Sequence, residues 1–507
     1  MSVQDYTIAK GFPLTEEQNE IIEYVLQRPM AICSAQTGIG KTLTMSTAAI
    51  HLMLTYDDLH FVIICPQKAV KAFRRELGRI GIGYNELSSS THRFSTDARI
   101  TLLTHTMVEK HIQELVNLRA KYRLGCIVDE IHAAQDCGSK FYQIMMRIRP
   151  MFAVFWGATA TPLKNDITGL YWMVHLVSPG FFGSWQAFKM MYLVTRTNTI
   201  RQKIWKGGKP IVITRNVEEI VGYRNVEALS KKLDDIIIIR QLQYNLKFHY
   251  AKVPLTSEEE HFYLMAGKGL FMKEETKDVW AARLHQLQRI IDNVHEEHVT
   301  SKNKLSSKEK CLMKVILDLM KNREPILIYF DYKDALERIK YILGETKQYT
   351  GIKQILEVSG SINQKQREKV EEQIDAGTVV LVTQAGTESI NLQRANTVIF
   401  YDIPFAVQTF IQMVGRVTRM DSKFDHQDIY FIEAEGTSDT YRRILLQMNG
   451  SLINQIFGKV NTLPLELKFI DKKRSKQLRD ALLWSFKAGK LATQDVIDRI
   501  VKLDDGR

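Results

Sequence analysis

Cysteine is scarce in this chain: Cys33, Cys65, Cys126, Cys137 and Cys311 are the five in 507 residues, an odd count without a Cys-x-x-Cys pair. That excludes a disulfide scaffold and leaves no tight ligand pairs for a structural zinc, so buried thiols in a reducing compartment are expected. No stretch approaches the run of about 18 apolar residues that a membrane span requires. The opening MSVQDYTIAKGF lacks the apolar segment of a secretory signal. The expectation is a soluble, intracellular protein, in the cytoplasm of a bacterium or virus-infected cell or in a nucleus. Long internal repeats and low-complexity tracts are also missing.

What is present is ordinary globular composition, 45% hydrophobic and 25% charged, over a length too great for one core. Two large domains with a smaller appendage are expected. Lys and Arg outnumber Asp and Glu by 69 to 57, giving a net charge of +12 and a pI near 9.2. This excess permits a polyanionic partner without proving one.

Short apolar runs recur between helix-like segments from about residue 30 to 160: MAICSA, HFVIICP, ARITLLTH, LGCIVDE and FAVFWGATA. The rhythm returns at PILIYFDY, TVVLVTQ, NTVIFYDI and DIYFIEA. Strands alternating with helices predict parallel sheets covered on both faces. The fold expected is α/β: two parallel-sheet lobes, with a helical insertion between them and a helical C-terminal tail. The divisions are 1–225, 226–304 (insertion or connector), 305–445 and 446–507. Within the insertion, DVWAARLHQLQRIIDNVHEEH has helical spacing and a charged face. SKNKLSSKEK reads as a hinge or exposed linker.

CSAQTGIGKTLTM (33–45) resembles the phosphate-binding pattern G-x-x-x-x-G-K-[ST] with Ala35 at its opening position. It joins a predicted strand to a predicted helix, the context that gives the pattern meaning. Gly38 and Gly40 allow the chain to curl, and the backbone amides with the helix N-terminus make an anion site. Thr37 lies in the same cradle. Lys41 would meet the β- and γ-phosphates of a nucleotide, and the Thr42 hydroxyl would hold Mg²⁺. A glycine-containing strand–helix turn is the bland alternative. LGCIVDEIHAAQ adds Asp129 and Glu130 at the end of a buried strand, the ligand-binding edge of an open α/β sheet. Asp129 would hold the Mg²⁺, and Glu130 would orient or deprotonate an attacking water. By itself, such an acidic pair equally serves to cap a helix.

AQTGIGKT, DEIH and GATATP, in that order, resemble the first motor lobe of helicase superfamily 2. The stretch 157–188 looks like the one after motif III in Swi/Snf-type double-stranded DNA translocases. VSGSINQKQREKVEEQI and the run VTQAGTESINLQRANTVIFYDIPFAVQTFIQMVGRVTRM look like that family's second lobe. The resemblance covers about residues 10–445. It implies two RecA-like lobes, ATP and Mg²⁺ as cofactors, and an ATP hydrolase acting as a DNA helicase or translocase. It also implies that Gln18 reads the adenine edge, and that Gln412, Arg416 and Arg419 reach the phosphates across the cleft. Those three are spaced i, i+4 and i+7, one helix face, and an arginine from a second body suits a transferring phosphoryl group. Alone, they equally suit a solvated basic face. The chain departs from the family at AGTESINL (385–392), where AGGLGINL is common. DEIH and GRVTR lean towards helicase relatives.

The partner implied is nucleic acid, double-stranded DNA first, held by its sugar–phosphate backbone. Candidate contacts are Lys68, Lys71, Arg74 and Arg75, then Thr104 and His105. In the second lobe they are 359–361, Thr383 and Gln384. RQKIWKGGKPIVITRN (201–216) reads as a cationic hairpin with a Gly-Gly turn, in which Trp205 either stacks on a base or covers a strand. HEEH (295–298) spaces its histidines three apart rather than four, which disfavours zincin chemistry. An RNA helicase and a slowly hydrolysing ATP-gated DNA clamp stay open as alternatives.

Overall fold

The computed structural model describes residues 13–36, 38–88, 92–93, 98–163, 167–206, 209–240, 245–271, 280–292, 305–360, 364–384, 386, 392–418, 424, 426–457 and 472–498. Thr37, Ser361, Arg419 and the HEEH string lie outside them. In chain order the strands are β1 (Met30–Ala35), β2 (Leu59–Cys65), β3 (Asn85–Leu87), β4 (His92–Arg93), β5 (Ile100–Thr104), β6 (Arg123–Asp129), β7 (Phe152–Thr159) and β8 (Leu193–Lys206). They continue with β9 (Lys209–Tyr223), β10 (Ile237–Arg240), β11 (Leu246–Val253), β12 (Ile326–Phe330), β13 (Gln354–Val358), β14 (Thr378–Thr383), β15 (Thr397–Phe400) and β16 (Gln427–Ala434).

Two sheets organise the chain. The first runs β10-β1-β7-β6-β2-β5-β3-β4 and the second β11-β16-β15-β12-β14-β13. Every ladder in the second sheet is parallel, and in the first only β3–β4 is antiparallel. Strands covered on both faces need continuous apolar runs. β2, LHFVIIC, is buried at every residue, as is ILIYF of β12. The architecture is the α/β pair of parallel-sheet lobes expected from the sequence.

The boundaries differ. β10 pairs with β1, Ile32 opposite Ile237 and Ala35 opposite Arg240, so the first lobe continues past residue 225. β11 pairs with β16 over its whole length, so the second lobe recruits a strand from well before residue 305. Helical insertion is therefore confined, among the described residues of 226–304, to Val226–Leu233, Ser257–Phe271 and Trp280–Asp292. These last two are bound to the second lobe by charge as well as packing. Lys308 is buried, its Nζ 2.7 Å from Asp292 and 3.0 Å from Asp439. Glu259 accepts from the Ser307 amide at 2.8 Å. A cation this deep survives only because its partners are fixed around it.

The C-terminal helix Lys472–Ala488 buries Leu478, Leu482 and Phe486. Phe486 stacks on Phe271 with ring centroids 5.4 Å apart. The same helix packs against β9, and the helix Ser438–Phe457 packs against Val226–Leu233. Elements of the second lobe and the tail thus lean on the first.

Candidate active site between the lobes

The ends of β1, β7 and β6 lie side by side: Ser34 is opposite Thr159, and Asp129 is opposite Ala158. Three sequence motifs meet there because the sheet order makes their strands neighbours. β1 ends at Ala35, and the helix Lys41–Thr55 begins after Gly40. Gly38 and Gly40 have φ of 104° and 87°, values that an L side chain adopts only at a cost. A Cβ on Gly40 would also stand 2.8 Å from Gln18 Nε2. Both glycines are thus required by backbone geometry, whereas Ala35 is ordinary strand.

Lys41 Nζ donates to Ala35 O at 2.8 Å, closing the loop on itself. Thr42 is half-buried in the first turn. Gln18 is buried and anchors the same loop: Nε2 donates to Ile39 O at 2.7 Å, and Oε1 accepts from Thr15 N at 3.0 Å. One N–H and one lone pair of its amide remain for an adenine edge.

Asp129 closes β6, and Glu130 follows in left-handed backbone, φ 53°. Such a conformation costs about 1–3 kcal/mol outside glycine and concentrates at functional sites. Burial pushes the Asp129 carboxyl up to about 7, with the Glu130 charge adding to the effect and Lys41 opposing it. Burial also opposes ionisation of Glu130. His132 and the cations Lys41 and Lys68 outweigh it and hold that carboxyl below its usual range. His132 Nδ1 stands 3.0 Å from Glu130 Oε2 and 3.1 Å from Thr159 Oγ1. Glu130 Oε2 itself is buried without a well-formed hydrogen bond.

The two adjoining carboxylates lie close enough to the phosphate-binding loop to feel the charge of Lys41. Those oxygens and the Thr42 hydroxyl are of the chemistry that suits a nucleotide-borne Mg²⁺, which Thr42 and Asp129 could hold. No group of three or more His, Cys, Asp or Glu side chains among the described residues makes a metal cage.

The second lobe enters through the helix Val407–Val417. Phe410, Met413, Val414 and Val417 are buried in their own lobe. Gln408, Gln412 and Arg416 are half-buried and recur every four residues on one face. Gln408 Nε2 lies 2.9 Å from His132 Nε2. With His132 Nδ1 donating towards Glu130 and Thr159, its Nε2 accepts from the Gln408 amide. A chain of contacts therefore runs from the second lobe to the carboxylate expected to orient water. Lys71 adds a second bridge, pairing with Glu368 on the helix Gln364–Gln373.

Sequence reasoning missed Gln408 and gave His132 no role. Extending the 412/416/419 spacing upstream by one turn would have found the first. We expect Gln408→Ala to lower kcat about two- to tenfold, the worth of one hydrogen bond, with a smaller change in KM for ATP. Steady-state kinetics checks this, and an unchanged kcat would make the contact incidental.

The expected nucleic-acid contacts divide. Lys68 is exposed, and Lys71 is 67% exposed and spans the cleft. Gln384 is exposed, with Nε2 3.4 Å from Thr409 Oγ1. Three others require correction. Thr104 is 1% exposed, the last residue of a strand buried throughout. His105 turns inward, its Nε2 2.9 Å from Asp129 O and its ring stacked on Phe141. Burial pulls that imidazole down to about 4, against the Asp129 carbonyl bond, so it is neutral and no phosphate-binding cation. Arg74 is forked onto Glu86, Nε to Oε2 2.7 Å. That carboxylate occupies the guanidinium edge a phosphate would need.

Fold and site together define a two-lobed ATP hydrolase. The DEAD/DEAH box helicase family model matches residues 15–167, and the helicase conserved C-terminal domain model matches 307–421. The chain belongs to helicase superfamily 2, with Swi/Snf-like relatives. It is 23% identical over 472 residues to the uncharacterized ATP-dependent helicase YqhH of Bacillus subtilis, covering 89% of this chain and 81% of that one. It is 22% identical over 355 residues to the CHD3-type chromatin-remodeling factor PICKLE of Arabidopsis thaliana, covering 68% of this chain and 24% of that one. The Sulfolobus solfataricus SWI2/SNF2 ATPase core, solved with double-stranded DNA, aligns over 92% of this chain and 96% of its own at 17% identity, TM-score 0.39. The chain thus spans most of YqhH but about a quarter of PICKLE.

Proposed function

We propose that this protein is an ATP-driven motor that moves along double-stranded DNA, holding its backbone while the two lobes open and close. The observation that carries the reading is the meeting of Gln408 with His132, 3.0 Å from Glu130 Oε2. It makes the water-orienting group depend on where the second lobe stands.

Gly38–Thr42 would hold the phosphates of ATP, and Thr42 and Asp129 a Mg²⁺ that would supply the charge neutralisation phosphoryl transfer needs. The protein's own part is positional. Lys41 leaves Ala35 O for phosphate oxygen, and Glu130, ionised and braced by His132, orients water. Arg416, with Arg419 beyond it, meets the developing charge when the cleft closes. Lys68, Lys71 and Gln384 sit on exposed surface on the two sides of the cleft, so alternate closure shifts one backbone grip relative to the other. A net charge of +12 favours a polyanionic track.

Triplex displacement tests movement. With ATP, the protein is expected to release a third strand from a duplex in its path. Nucleic-acid-stimulated ATPase without displacement would favour the stationary clamp, and stimulation by RNA alone would replace DNA as the track.

A further inference from the structure

β8 and β9 form an antiparallel ribbon that no third strand joins among the described residues. It is far longer than the turn read from the sequence, 14 and 15 residues in its two strands. At roughly 3.3 Å per residue the ribbon extends about 46 Å, more than the ~34 Å of one duplex turn.

Its charge is divided along its length. Near the base, Lys189 pairs with Glu218, and Arg196 stands opposite Glu219. Beyond that point balance is lost. Between residues 197 and 217 there are five cations, Arg201, Lys203, Lys206, Lys209 and Arg215, and no Asp or Glu. In the ladder Arg201 faces Thr214, Lys203 faces Val212, Arg215 faces Ile200, and Lys206 faces Lys209. Like charges directly opposite one another destabilise a two-stranded sheet, and such a ribbon is marginal in water to begin with.

A second element adds charge of the same sign. The helix Lys472–Ala488 packs against β9, and Lys472, Lys473, Arg474 and Lys476 fall in its first five residues. The sequence concentrates cations in two elements that pack together, and a bound polyanion would relieve their repulsion.

We infer that the β8–β9 ribbon, with the 472–488 helix packed against β9, is a second nucleic-acid site, gripping duplex phosphates outside the cleft between the lobes. A two-stranded ribbon matches the width of a major groove, and its length suits a continuous duplex better than a single flexible strand. The inference rests on the motor reading above, and extends it from the cleft to an arm that keeps the protein on its track while the lobes cycle.

The test is duplex binding by the full chain across a salt series, comparing wild type with Arg201→Gln/Lys203→Gln/Lys206→Gln/Lys209→Gln. Glutamine keeps each side chain polar and removes only its charge and part of its length, and a matching melting temperature verifies the fold. Each lost phosphate contact removes about 0.9 from the slope of log K against log salt. The quadruple variant is expected to lose about two to four from that slope and at least tenfold in affinity near 0.1 M salt. A second variant, Lys472→Gln/Lys473→Gln/Arg474→Gln, is expected to lose a smaller share of both. Wild-type binding with an unchanged slope in the quadruple variant overturns the ribbon site and leaves the motor reading standing. Loss confined to single-stranded ligands overturns the duplex assignment. A wild type that binds no nucleic acid overturns the motor reading itself.

Discussion

Lys41→Ala is expected to reduce ATP turnover at least several-hundredfold, to the background of the assay, in a protein that still folds. Lys41 is the first residue of its helix, and Nζ reaches back 2.8 Å to Ala35 O. Removing it deletes the cation from a cradle otherwise made of backbone amides, opposite two carboxylates. A single preorganised charge-stabilising donor is worth about 10²–10³ in rate, and a full positive charge on transferring phosphate lies at the upper end. The helix itself retains its buried face of Leu43, Met45, Ala48, Ala49, Ile50 and Met53. Alanine at its first turn favours helix, so melting temperature should change little. Phosphate release with and without DNA checks the first point, and thermal unfolding the second.

Arg416→Ala should behave differently: ATP affinity in the open protein within about threefold of wild type, and turnover down by roughly 10³-fold or more. The distinction follows from location. Lys41 belongs to the lobe that carries the phosphate-binding loop. Arg416 sits two turns beyond Gln408 on the helix whose opening turn touches His132. An arginine arriving from the other body contributes in the closed state, hence to the transition state more than to binding. Equilibrium titration with a fluorescent ATP analogue and single-turnover kinetics separate the two. Normal turnover in this variant would remove Arg416 from the site.

Much of the fold was legible because buried parallel strands announce themselves: HFVIICP and PILIYFDY leave few other options. What escaped notice was short or displaced. Ile237–Arg240 is four residues long, below the length at which periodicity discriminates, and its neighbour β1 lies some 200 residues earlier. Leu246–Val253 pairs with β16, which begins only at Gln427. No local pattern carries such a pairing. The site divides in the same way. Gly40, Lys41, Asp129 and Glu130 are marked by spacing within one loop or strand end. Contacts between loops are not, and Thr104 and Arg74 show the consequence. Composition marks a threonine at a strand end or an arginine on a helix as available, whereas burial of the strand and the carboxylate of Glu86 decide otherwise. His105 matters for where its ring points, under Asp129, and spacing does not encode that.

The central claim is that nucleic acid, by closing the lobes, completes the ATP site. ATPase rate with and without saturating duplex DNA tests it most directly. Slow turnover by the protein alone and a rise of tenfold or more with duplex are expected. The same rate in both conditions, or no hydrolysis with duplex, single-stranded DNA or RNA, would contradict it.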